Sequence, residues 1–282
     1  KYLVTGGGTG LGKTMSMRFL ELGAEVAIAG RRKSVLDETA EEMMKATGGK
    51  VTTHAVDIRV PQAVEDMVAE IWAGGPLDGL VNNAAGNFIS RTEDLSARGF
   101  DAISNIVFRG SFFVTLECGK RWLAEGKHAS VLSILTTWVW NGGPFTVPSA
   151  MSKAGLNVMT QSLAVEWGNR GIRFNAIAPG PFPTEGMTAR LNPSAVGAET
   201  KPADPGIPLG RNGEMRELAN LAVYLLSPMS AYVNGQTIAI DGGSHLQGGG
   251  FSRLAAWGDA EWEAARNAIR ATNEQDRAKR TV

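Results

Sequence analysis

A chain of 282 residues is long enough for one large domain with a full core, and 28 basic against 28 acidic residues give no net charge, which argues against non-specific nucleic-acid binding. A single cysteine, Cys118, excludes an internal disulfide and a cysteine-built zinc cluster; it sits in an apolar stretch and reads as a core residue, and no metal site is read. No apolar run reaches the length of a membrane span, while the opening at Lys1, directly before a strand, leaves a targeting segment and the compartment open, with the cytoplasm implied for a bacterial source.

Residues 2–4 read as a short buried strand that runs into the glycine-rich segment Thr5 to Gly12. Residues 13–22 are helical, with Met15, Phe19 and Leu22 on one face and Gly23 as the stop. Strand patterns follow at 25–29, 51–56, 77–81, 130–135, 172–177 and 236–240. Between them lie helical patterns at 34–47, 61–72, 99–125, 149–169 and 214–226. The strands are apolar on both faces and alternate with helices. That predicts a single doubly wound α/β Rossmann domain with a seven-stranded parallel sheet, over residues 1–243. Residues 183–211, rich in Pro, Gly, Ala and Asn, follow the sixth strand and are placed to cover a substrate. Residues 244–282 form a C-terminal extension of the same domain, with a glycine joint and a charged helix at about 259–280 anchored by Trp257 and Trp262. Such a helix docks on its own subunit or a neighbour, or acts as a flap over substrate.

Thr5, Gly6, Gly8, Thr9, Gly10, Leu11 and Gly12 follow a strand and open a helix. This is where a backbone must approach a pyrophosphate closely and where a helix N-terminus offers free N–H groups. The second strand ends in Ala29-Gly30-Arg31-Arg32-Lys33. No carboxylate stands there to accept from a ribose hydroxyl, whereas Arg31 and Arg32 suit a 2′-phosphate; the predicted cofactor is NADP(H). Asp57, with Ile58, ends the third strand and either accepts from the adenine amino group or caps the next turn. Asn83, Ala84, Ala85 and Gly86 end the fourth strand, close to the cofactor. Asn82 is expected to stitch neighbouring strands together. Pro179, Gly180 and Pro181 end the sixth strand on the same side.

Lys153 lies one helical turn after Ser149, and no tyrosine takes the serine's place. A phenol there would donate a proton to a carbonyl; an aliphatic hydroxyl is a poor donor. Only Tyr2, Tyr224 and Tyr232 exist, none near Lys153 in sequence.

Thr5 to Gly12, Asn82 to Gly86, Lys153, Pro179-Gly180-Pro181 and Asp241-Gly242-Gly243 resemble, in order, the motifs of the short-chain dehydrogenase/reductases. The likeness covers residues 2–243 and implies a Rossmann domain that assembles as a homo-oligomer, usually a tetramer. Asn83 to Ser90, Val147 to Ala150, Ala164 to Gly168, Thr184-Glu185-Gly186 and Arg190-Leu191 are similar to the family's 2,4-dienoyl-CoA reductases, which also lack that tyrosine. The resemblance implies reduction of a conjugated dienoyl thioester by NADPH, with a fatty acyl-CoA as substrate. The need is then to stabilise a thioester oxyanion and to protonate carbon, with Lys153 and Ser149 at the ribose.

The sequence also departs from that pattern. The mitochondrial type holds the thioester oxygen with a tyrosine eleven residues before the serine, here Trp138, and an asparagine before a helix glycine, here Arg109. The peroxisomal type uses an aspartate three residues before that glycine, here Val107. Arg109 could supply an oxyanion donor or lie on the outer face of its helix. Trp138 reads as a pocket wall with Trp140 and Phe145, and Thr136 as a substrate-orienting hydroxyl or a strand-end cap. Two alternatives follow: reduction of another enone or carbonyl, and a cofactor-binding homologue without turnover.

Overall fold

A computed structural model describes residues 1–184, 206–249 and 251–280. Seven strands, β1 (Tyr2–Thr5), β2 (Val26–Gly30), β3 (Val51–Ala55), β4 (Gly79–Asn82), β5 (Ala129–Ile134), β6 (Ile172–Pro179) and β7 (Thr237–Ile240), form one sheet. Their order is β3-β2-β1-β4-β5-β6-β7 and every pairing is parallel. The order reverses between β1 and β4, which opens a crevice beyond the carboxyl ends of these two strands.

Alternation along each strand builds two cores. Leu3, Leu80 and Val131 point to one face, against α3 (Pro61–Ala73) and α5 (Ser111–Glu125). Val4, Val81 and Leu132 point to the other, against α1 (Gly10–Glu21), α2 (Lys33–Thr47) and α8 (Met215–Leu226). Both faces are covered, so the central strands carry apolar side chains to each face, as predicted. Cys118 lies fully buried in the first core, and burial pushes its thiol up, away from nucleophile behaviour.

The long helix expected at 99–125 is three pieces: α4 (Ala97–Ser104), a π turn (Asn105–Gly110) and α5. A π turn inserts a residue and shifts the phase of the helix. Val107 thereby packs on Leu135 and Leu156 in a small third core, while Ile106 packs against the first core and lines the crevice. The short α6 (Trp138–Asn141) was not expected; α7 (Val147–Glu166) follows it. Most of the 183–211 segment, with Glu185, Gly186, Arg190 and Leu191, lies outside the described residues.

The chain divides into two compact units, Lys1–His245 and Leu246–Val282. The second contains α9 (Asp259–Arg280), in which Trp262 meets Trp257 edge-on at 5.1 Å. Among the described residues, no helix is long and apolar enough to cross a membrane.

Candidate active site

The turn between β1 and α1 is shaped by close approach. Gly6 has φ +67°, and a Cβ there would lie 3.0 Å from Cα of Ala84. A Cβ on Gly12 would lie 2.3 Å from the Gly6 carbonyl oxygen, so α1 packs on the loop only with glycine there. Thr5 ties this loop to the end of β4: its hydroxyl accepts from the N–H groups of Asn83 (3.0 Å) and Ala84 (3.1 Å). Asn83 returns its amide to the carbonyls of Thr5 (3.0 Å) and Gly6 (3.2 Å). The stitching expected of Asn82 therefore belongs to Asn83. Asn82 instead reaches Thr115 on α5 at 2.8 Å, because alternation turns its side chain towards that helix.

A cleft of about 340 Å³ opens beside this loop. It brings together Gly6, Gly8, Thr9, Arg31, Arg32, Asp57, Ile58, Ala84 and Ala85. Val35, Leu36, Val56 and Ile106 also line it; they are not legible in the sequence, since short apolar side chains look the same in a core as in a cleft. Arg31 and Arg32 are exposed and, among the described residues, take part in no ion pair, while the neighbouring Lys33 is held by Asp37 at 2.8 Å. Asp57 faces the cleft but binds Arg59, whose Nε lies 2.9 Å and 3.0 Å from its two oxygens. That guanidinium holds the Asp57 carboxyl below its usual range. A narrow floor of backbone, two free guanidinium groups and apolar sides fit an extended, phosphorylated dinucleotide.

On the far side of β4, Lys153 and Ser149 share one face of α7 and are both buried. The Lys153 ammonium donates to the carbonyl of Ile134, and burial pushes its pKa down to about 8. No phenol reaches it: Tyr2 packs on Phe19 at the start of β1, Tyr224 lies on α8, and Tyr232 is fully exposed. Thr136 is half-buried two residues past β5, and its carbonyl accepts from Val139 as α6 begins (3.2 Å). Trp138 is half-buried over Gly143, where an added Cβ would lie 2.8 Å from the indole. Phe145 is exposed and left-handed (φ 62°), held by its carbonyl accepting from Ser90 N–H at 2.9 Å.

Arg109 is exposed in the π turn, with its guanidinium over the Phe113 ring at 5.1 Å. That contact runs along its own helix. Pro179 ends β6, Gly180 N–H donates to Ile240 (3.0 Å), and Pro181 accepts from Gly213 N–H (3.0 Å), which joins the ends of β6 and β7. Gly10, Leu11 and Gly12 lie in the first turn of α1, and Gly86 follows the cleft residue Ala85.

Residues 6–245 match the family model described as enoyl-(acyl carrier protein) reductase. The chain is 45% identical over 273 residues to a probable 2,4-dienoyl-CoA reductase 3, (3E)-enoyl-CoA-producing, of Caenorhabditis elegans, covering 95% of this chain and 88% of that protein. It is 40% identical over 247 residues to a probable 2,4-dienoyl-CoA reductase, (2E)-enoyl-CoA-producing, of Bacillus subtilis, covering 86% and 96%. A solved short-chain dehydrogenase from Bacillus anthracis superposes with a TM-score of 0.78 at 40% identity, covering 88% and 97%. The chain therefore belongs to the short-chain dehydrogenase/reductase family of oxidoreductases.

Proposed function

We propose that this protein reduces the conjugated system of a 2,4-dienoyl-CoA thioester with NADPH. The observation that carries it is the buried Lys153 one turn after Ser149 with no phenol near, a site suited to stabilising an oxyanion and unsuited to protonating a carbonyl. The names of the relatives from Caenorhabditis elegans and Bacillus subtilis support the same substrate class.

NADPH supplies hydride when bound. In this proposal the loop Thr5 to Gly12 and the start of α1 hold its pyrophosphate. Arg31 and Arg32 hold the 2′-phosphate, in fork geometry that matches its oxygens. Asp57 and Ile58 flank the adenine, and Asn83 to Gly86 with Pro179 to Pro181 border the nicotinamide side. Lys153 binds the ribose and adds positive field where the thioester oxygen gains charge. Ser149 orients the ribose and the lysine, Thr136 orients the substrate, and Trp138 forms an apolar wall. Water delivers the proton to carbon, since Trp138 and Arg109 cannot release one at neutral pH.

A homo-oligomer, with a tetramer as the family's usual form, is proposed for the same protein. Met151, Val158 and Val165 recur every seven residues on α7 and are exposed, as are Phe108 on the π turn and Phe112 on α5. Such a stripe suits a second copy of the chain.

The test mixes the protein with NADPH and a 2,4-dienoyl-CoA and follows loss of both chromophores. Absence of turnover with NADPH binding intact overturns the proposal. The tryptophan at position 138 favours one second reading, reduction of a different enone, and turnover of a cyclic enone but not the thioester would select it.

A further inference from the structure

His245 belongs to none of the motifs above, yet it stands at the junction of two loops beside the candidate site. Asp241, the first residue after β7, is buried and gathers four hydrogen bonds. Its Oδ1 accepts from Gly243 N–H at 3.0 Å. Its Oδ2 takes the Ser244 hydroxyl at 3.1 Å, His245 N–H at 2.8 Å and His245 Nδ1 at 2.7 Å. Burial opposes the charge on Asp241, but these donors outweigh it and hold the carboxyl below its usual range. A carboxylate so placed keeps a proton on Nδ1 and fixes the ring's orientation.

The oriented imidazole lies against the Trp140 indole, with ring centroids 5.1 Å apart and planes at 37°. The Asn141 amide donates to the His245 carbonyl at 3.4 Å. Trp140 and Asn141 are half of α6, a helix of four residues. A helix that short has no stability of its own, so outside contacts set its position. The same end of the helix leads on through Gly143 to Phe145, whose carbonyl accepts from Ser90 N–H. Trp138, the wall residue, begins this helix, and its indole packs over Gly143 between the two restraints' points of attachment at Asn141 and Phe145.

We propose that His245, oriented by Asp241, is a positioning residue: it fixes α6 through Trp140 and so sets how the acyl end of the thioester seats against Trp138. The role assigned to His245 rests on the thioester-reductase function proposed above. It predicts an effect on substrate binding and none at the cofactor's phosphate and adenine cleft, whose lining includes neither Trp140 nor His245.

The test is steady-state kinetics with NADPH and a 2,4-dienoyl-CoA. The proteins are wild type, His245→Ala, His245→Phe, Trp140→Ala and the double variant. His245→Ala raises the thioester KM about tenfold, the order of one lost aromatic pair with its hydrogen bond, and leaves kcat within about twofold and the NADPH KM unchanged. The double variant is no worse than the more damaging single one, because both substitutions remove the same restraint. His245→Phe keeps a ring against Trp140 without the Asp241 bond and falls between the two; it also fills the space if the alanine variant fails to fold. Additive losses, an equal rise in the NADPH KM, or wild-type behaviour of His245→Phe overturn the proposal.

Calorimetric titration with octanoyl-CoA, a saturated thioester that cannot accept hydride, reads binding without turnover. Weaker binding to His245→Ala, in a wild type that does not reduce the dienoyl thioester, keeps the positioning role and discards the reductase reading. Unchanged binding in a wild type that does turn over discards the positioning role alone.

Discussion

The Lys153 ammonium is hydrogen-bonded to the carbonyl of Ile134, the last residue of β5. This carbonyl is neutral, so the charge is anchored but not neutralised. The nearest hydroxyl on its own helix face is Ser149, which is also neutral. Lys153 is thus a buried cation with no carboxylate beside it among the described residues, a costly arrangement unless an anionic or polar partner is bound.

That cost gives a prediction of opposite signs for stability and activity. Burial lowers the Lys153 pKa from 10.5 to about 8. The unfolded chain therefore binds more protons than the folded one between those values, and folding becomes more favourable as pH rises through that window. Below pH 8 the penalty is fully present, on the order of 3 kcal/mol. Lys153→Met is expected to stabilise the cofactor-free protein at pH 7 by about 1–3 kcal/mol and to abolish turnover. The stability difference between variant and wild type should shrink between pH 7 and pH 10 in urea titrations. A destabilised Lys153→Met protein, or one with full activity, contradicts the placement of the site.

In the proposed function, Arg31 and Arg32 select NADPH over NADH. Each is exposed and without a salt bridge among the described residues, and Arg31 adds only a minor positive field at Asp57. A charge-assisted hydrogen bond contributes about 1.5–3 kcal/mol. Replacing both by alanine is expected to raise the KM for NADPH about 10- to 100-fold and to leave that for NADH nearly unchanged. Thermal unfolding should not move. Equal losses with both nucleotides would place the 2′-phosphate elsewhere.

Arg109 is expected to matter little to the chemistry. Its guanidinium lies over Phe113, four residues along the same helical run, and an exposed pair of this kind contributes about 0.5–1 kcal/mol. Arg109→Ala should lose that much stability and keep kcat within about twofold. A fall in kcat of a hundredfold, with KM unchanged, would instead make Arg109 the oxyanion donor.

The sheet and its helices were legible because their signals are local. Apolar runs such as Tyr2 to Val4, the break at Gly23, and the glycine loop from Gly6 each act within a few residues. Asp57 was legible as a strand end and as a cap of the next turn, which it is, accepting from Arg59 N–H at 3.0 Å; its pairing with the Arg59 side chain was not. The π turn was hidden because 99–125 keeps a helical composition throughout; only packing of Ile106 and Val107 on two different neighbours reveals it. His245 was missed because its meaning depends on Trp140, more than a hundred residues away, though a histidine four residues after an aspartate at a strand end is a local hint. Arg109 and Trp138 could be located from sequence but not oriented, because orientation comes from Phe113 and Gly143.

Gly143 offers a way to move Trp138 without altering it. A Cβ at residue 143 would lie 2.8 Å from Cγ and Cδ2 of the indole and 2.7 Å from the Thr146 hydroxyl. The backbone there is not left-handed, so alanine adds no conformational strain and acts only by overpacking. Such a clash costs about 1–3 kcal/mol, relieved mostly by displacing the tryptophan. Gly143→Ala is therefore expected to raise the thioester KM about 5- to 50-fold, in line with that energy, and to leave NADPH binding intact. Near-ultraviolet circular dichroism should change, as a large indole shifts. Gly143→Ser should behave likewise, since its Cβ occupies the same place. A normal thioester KM in both, together with an altered tryptophan spectrum, would show that Trp138 moves freely without touching substrate, and the wall would have to be sought on α7 instead.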